Sequence, residues 1–377
     1  VYETAHKGWN QSLIYRKRIK AQILEEKDLD YDLAQARIFF RRPNHPLRLD
    51  VKIKLEETLT ENRATVYDSV GVGLGTYRYD PQFEEYVSDP NGAYISYTIL
   101  TGSRKPTTQF EGIQRLEYDF GKRLNSKFKD IKYRLDWLWD FNGQNFSVNR
   151  YGEDDLNAST IIRSRSKLRH EWDYVNRTGR QIRTWWLGEK DLNNLDPRGA
   201  DLRMNTELEV DWLEPISANT HAVVKLNQHD ANVESSFSHS RDRSAQGTWA
   251  EIGIKKRFSS LWQTEALLQN GYDAGQHQMS NYSASLHGIR LDILHFFSSK
   301  GRLQGRFEWA TVGLDGAAAF PPPEAVRGHA LGDTRKVNVQ GHIRLRQNFS
   351  INVTINYISD IRYDNFINIT GETRAYF

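Results

Sequence analysis

Cysteine is absent from the sequence. That excludes a disulfide framework, thiolate metal sites and a thiol nucleophile. Methionine occurs only 2 times, and no apolar run reaches the ~18 residues that a membrane-spanning helix needs. Neither sign of charge is in excess: 51 basic residues face 48 acidic ones, a net charge of +3, which gives nucleic acid no reason to bind. Helical spacing is scarce, and its best candidate, around Leu24–Ala36, is short and charged. No secretory signal is visible and residue 1 is Val, so we expect a mature form or the C-terminal domain of a longer chain. His221, His229, His277 and His342 show no metal-ligand spacing of the His-Glu-x-x-His type, and no cofactor is expected.

Aromatic side chains are plentiful, with 10 Trp, 18 Tyr and 17 Phe, and so is alternation. Leu47, Leu49, Val51, Ile53 and Leu55 share one face of a strand, against Arg48, Asp50, Lys52 and Lys54 on the other. Ile131–Trp139, Leu202–Trp212 and Val337–Leu345 repeat the pattern. Strict period-two alternation argues strands with one apolar and one polar face. The pattern predicts strands near 9–24, 33–42, 46–60, 108–121, 129–142, 159–175, 179–189, 201–213, 217–229, 246–258, 260–271, 281–298, 301–314, 334–348, 349–360 and 364–377, about 16 in all. Segment 281–298 changes its apolar face near Gly288, which reads as a bulge. The strand at 179–189 carries Trp185 and Trp186 on opposite faces.

The connections sort into two kinds that alternate along the chain. Tight turns are expected at 43–46, 176–179, 214–217, 259–260, 299–301 and 347–348, and long loops at 61–107, 143–158, 190–200, 230–245, 272–280 and 315–333. Outer-membrane barrels are built this way, with short periplasmic turns and long extracellular loops. The chain's end fits: Ile367, Ile369, Gly371, Thr373, Ala375 and Phe377 share one face, and Tyr376 precedes the terminal Phe377. This stretch resembles the C-terminal strand of Gram-negative outer-membrane β-barrels, whose terminal Phe is read by the insertion machinery. The resemblance implies Ile367, Ile369, Tyr376 and Phe377 as an insertion signal. The expected fold is all-β, a closed antiparallel transmembrane barrel over 1–377, with 61–107 a long loop insertion holding a hairpin. Expected partners are outer-membrane lipids and lipopolysaccharide, the barrel-assembly machinery and other envelope proteins.

The candidate site is the polar wall. Arg163, Arg165, Lys167 and Arg169 should neighbour Asp136 and Asp140, while Arg48, Lys52 and Lys54 should neighbour Glu117 and Asp119. Arg134, Arg344 and Arg346 belong to the same face. Such rows suit a pore lining, or else merely a solvated lumen. Ala317–Pro323, with three consecutive prolines, is stiff and suits a docking element, an inward-folded constriction or a plain rigid loop. Gly71-Val72-Gly73-Leu74-Gly75 lacks the Lys-Ser or Lys-Thr of a phosphate loop. The tyrosines after it (Tyr77, Tyr79, Tyr86, Tyr94) belong to the expected hairpin. Two other readings compete with a pore or membrane anchor. One is a soluble or cell-surface all-β binding protein. The other is a hydrolase using His239, Ser240 and Asp242 of the 230–245 loop.

Overall fold

The computed structural model describes residues 2–20, 29–72, 74–81, 85–123, 128–237, 239–297, 300–346 and 349–375. Among these the chain forms one antiparallel sheet of 19 strands. The first seven are β1 (Tyr2–His6), β2 (Trp9–Lys20), β3 (Leu29–Arg41), β4 (Leu47–Ser69), β5 (Gly75–Asp80), β6 (Glu85–Gly92) and β7 (Tyr94–Asp119). Then come β8 (Ile131–Gly143), β9 (Ile161–Val175), β10 (Gln181–Asn193), β11 (Asp201–Ser217), β12 (Thr220–Ser235) and β13 (Arg243–Arg257). The last six are β14 (Trp262–His277), β15 (Ser280–Phe296), β16 (Gly301–Gly316), β17 (Gly332–Arg346), β18 (Phe349–Ser359) and β19 (Phe366–Ala375). Each strand pairs with the next, except that β4 pairs directly with β7 and the β5–β6 hairpin sits at their tip.

Three strands exceed the sixteen expected. Strand β1 is a short addition paired to the start of β2. The other two are β5 and β6, inside what alternation marked as a loop. Residues 61–107 are mostly strand: the β4–β7 ladder runs from Leu47↔Tyr118 to Ser69↔Tyr94 and forms a two-stranded arm. The alternation there is weak because little covers the arm, and Ile95, Tyr97 and Ile99 are exposed. At its tip Gly75 and Gly92 are needed, since a Cβ on either would lie within 2.4 Å of the backbone of Tyr94 or Tyr77.

Three other expectations fail. The 272–280 loop is absent, because β14 and β15 meet at a two-residue turn, Gln278-Met279. The helical pattern at 24–36 is strand from Leu29 onward, and its first residues lie outside the described ones. The Gly288 bulge is absent too: β15 keeps one register with both neighbours through Gly288. The apolar face changes because the cover changes. Tyr282, Ala284 and Leu286 are buried on the polar face beneath the connection that follows β16, while Ile289 and Leu291 are exposed on the other.

Large apolar side chains on the face opposite the charges stay open. Leu268 is 67% exposed, Ile252 56% and Ile369 66%. Trp9, Trp172, Trp212 and Trp262 are exposed in the parts of their strands nearest the tight turns. Trp139 and Trp249, by contrast, are buried. Trp139 lies in a cluster with Phe110, Phe141, Leu192 and Leu202, against which Phe146, Leu156 and Ala158 of the 144–160 loop pack. Arg150 braces that loop, bonding Gln144 O, Glu153 and Thr160.

Candidate functional site

The polar face carries ion pairs from strand to strand. Arg48 meets Glu117 at 3.2 Å, Lys52 meets Glu111 at 3.1 Å, and Lys54 pairs with Glu56 on its own strand. Arg134 bridges Glu117 and Glu171, each at 3.5 Å, and Asp136 holds Arg115 at 2.7 Å. The register sets Arg169 opposite Asp136 and Arg165 opposite Asp140. The closest ion pairs nevertheless form elsewhere. Arg163 meets Asp191 (3.3 Å), Arg165 and Lys167 share Glu189, and Arg169 meets Glu171 (3.1 Å). Arg169 also stacks over Trp185, which places that tryptophan on the polar face. Asp119 caps a 3₁₀ turn by accepting from Gly121 N instead of joining the row. Arg344 is exposed beside a register shift in the β17–β18 ladder. Nothing is described of the Arg346 side chain. Ile367 and Ile369 are exposed, and Tyr376 and Phe377 lie outside the described residues.

Alternation did not single out the most buried charges. Glu251 is 1% exposed. It receives Arg290 at 3.0 Å, Arg327 at 2.6 Å and Gln269 at 3.1 Å. Asp273 is fully buried, with His229 Nε2 2.9 Å away, and accepts the Val326 N–H at 2.7 Å. One acid in an alternating strand looks like any other. Asp273 fell in an expected loop, and only the Glu324–Arg327 spacing after the prolines hinted at a second row of charge.

The 317–331 connection clamps onto these groups. Arg243 makes two 2.8 Å bonds to Glu324. Burial is the largest single influence and raises the Glu324 carboxyl, but the Arg243 hydrogen bonds, a backbone hydrogen bond and the nearby arginine charges together outweigh it and hold its pKa below the ordinary 4.5. Arg327 lies over the Trp249 ring at 4.9 Å. Val326 and Arg327 have φ of 46° and 49°, a region that costs a β-branched residue energy and persists only under restraint.

Glu324 and Arg327 share a cavity of about 450 Å³ with Glu189 and Asp191 of β10. Strands β10 and β16 are six apart, roughly 29 Å along a flat sheet at ~4.8 Å per strand. A fifteen-residue connection reaches out and back only about 26 Å at ~3.4 Å per residue. A connection lying this far across the charged face fits a sheet that curls with that face inward.

No protein-family model matches the chain, and no curated protein matches it. Among solved structures it is similar to FauA, the alcaligin outer-membrane receptor of Bordetella pertussis. The TM-score is 0.53 at 9% identity, covering 95% of this chain and 57% of that one. What the two share is a fold. The FrpB iron transporter of Neisseria meningitidis matches at a TM-score of 0.45 and 9% identity, over 94% of this chain and 62% of that one. The chain thus spans less than two thirds of either receptor. In the 236–242 loop His239 Nδ1 lies 2.9 Å from Asp242, which also accepts the Ser235 N–H; nothing is described of the Ser240 side chain.

Proposed function

We propose that this chain is a Gram-negative outer-membrane β-barrel through which polar solutes pass, narrowed by the 317–331 connection. It is the channel domain of a larger envelope protein or assembly. The supporting observation is the opposition of the two faces. Charged side chains line the concave one, while Ile252, Leu268, Ile289 and Ile369 stand open on the other. A soluble binding protein would bury those side chains against a second layer. Acyl chains solvate them without cost, with Trp at the interface. The ladder of Arg48, Glu117, Arg134, Glu171 and Arg169 then faces the lumen. The tight turns are periplasmic and the arm extracellular, where it meets lipopolysaccharide or other envelope proteins. Ile367, Ile369, Tyr376 and Phe377 engage the barrel-assembly machinery. Purified protein in a planar bilayer should carry ionic current, and more after residues 317–331 are replaced by a short Gly-Ser linker. Silence from both proteins would remove the pore from this reading.

A further inference from the structure

We propose that the cavity beside the 317–331 connection binds a small zwitterionic solute, its acidic end on Arg203 and its basic end on Glu207. The inference rests on the lumen reading above. Six charged side chains line the cavity: Glu189, Asp191, Arg203, Glu207, Glu324 and Arg327. Four are committed elsewhere. Glu189 is held by Arg165 and Lys167, Asp191 by Arg163, Glu324 by Arg243, and Arg327 by Glu251. The Arg203 side chain forms no hydrogen bond or close ion pair among the described residues and feels Glu324 only at longer range, and Glu207 is met there only by the Asn227 amide, at 2.6 Å. One cation and one anion therefore lack a bonded counter-ion, on the same face of β11.

Their spacing sets the ligand's length. Four residues of strand separate their Cα atoms by roughly 14 Å at ~3.4 Å per residue. Both side chains are long enough to lean toward a ligand lying between them. That span suits a three-residue peptide backbone, about 10 Å long at ~3.5 Å per residue. Asn205 stands between the two charges on β11, and Asn227 and His229 line the same cavity from β12, offering hydrogen bonds to peptide groups. The volume lies within the usual range for small-molecule sites. A simple anion or cation would satisfy one end and strand the other. A neutral sugar would desolvate both charges without pairing either.

The test is equilibrium binding to the full chain in detergent, using triglycine, N-acetyl-triglycine and triglycinamide. Triglycine should bind about tenfold more tightly than either blocked peptide, the order expected for one lost charge-assisted hydrogen bond. Arg203→Gln should abolish the preference over triglycinamide and keep that over the acetylated peptide. Glu207→Gln should do the reverse. Equal binding of the three peptides to the unaltered protein would overturn the proposal, even if a variant failed to fold. So would preferences that neither substitution moves. Binding in detergent needs no current. A conducting barrel without the preference therefore sinks this site alone, and a silent barrel with it keeps the site and loses the pore.

Discussion

Arg198 sits in the connection after β10, yet it ties that connection to the arm. Its guanidinium grips Asp196 at 2.6 and 2.9 Å, reaches Tyr77 Oη at 3.2 Å and Ser96 Oγ at 3.1 Å, and lies over the Phe237 ring. Asp196 aims it. The Arg198 hydrogen bonds hold the Asp196 carboxyl below its ordinary 3.8. A depressed carboxylate pKa contributes stability above the unfolded value and loses it as pH falls through the folded one. The docked arm should thus be insensitive to pH from neutral down to about 4 and loosen below that. Spin labels on cysteines placed at exposed Val72 and Val148 should show one narrow distance at pH 7 and a broadened one at pH 3. Asp196→Asn should broaden it at pH 7. A distance unchanged by acid and by the substitution would show that Arg198 is not what docks the arm.

The turn between β14 and β15 shows what alternation reveals about an element and what it hides. Gln278 and Met279 have φ of 50° and 62°, the requirement of a tight hairpin turn that Asn-Gly meets without strain. Nothing in Gln-Met announces such a turn, so the sequence reads there as a loop. Replacing the pair by Asn-Gly should raise stability by about 1 kcal/mol, because Met279 is 75% exposed and gives up no packing. The urea midpoint in lipid vesicles measures it, and an unchanged midpoint would mean the neighbouring strands set the turn without strain. Strands such as Leu47–Leu55 were legible because polar water and apolar surroundings act on opposite sides of one ribbon. Legibility failed wherever that rule is suspended. Tyr282–Leu286 turn apolar residues toward the charged face because Ala325 and Val326 cover them there. Ser164 and Ser166 are buried on the face opposite the charges, across from Phe141 and Trp139. The polar rows were readable as rows, but their pairing was not. Arg163 and Arg165 reach β10, and which neighbour a long side chain chooses depends on curl and on what competes for it.

At the scale of the whole molecule, the free edges decide what this sheet is. Of the 19 strands, β1, β5 and β6 are short, and 19 − 3 leaves sixteen of ten residues or more. Strand β1 pairs with Trp9–Leu13, so β2 from Ile14 onward has no ladder on that side among the described residues. Strand β19 pairs with β18, and both its faces are exposed. In lipid each unpaired peptide group costs several kcal/mol, so two bare edges are untenable there. Strand β2 leaves the tight-turn end and β19 returns to it, so the pair can meet antiparallel, as an even count of long strands requires. Closure of β2 on β19 is therefore predicted, and the absence of native cysteine makes it directly measurable. Single cysteines scanned over 14–17 and paired with single cysteines over 367–373 should give oxidised monomers in detergent at one register. Directly opposed residues lie within the ~4.5–5.5 Å that a disulfide bridges. Thr354 and Thr370, already opposite across β18 and β19, supply the positive control. If that control links while every β2–β19 pair stays reduced or joins separate molecules, the cylinder is completed by other strands or not at all.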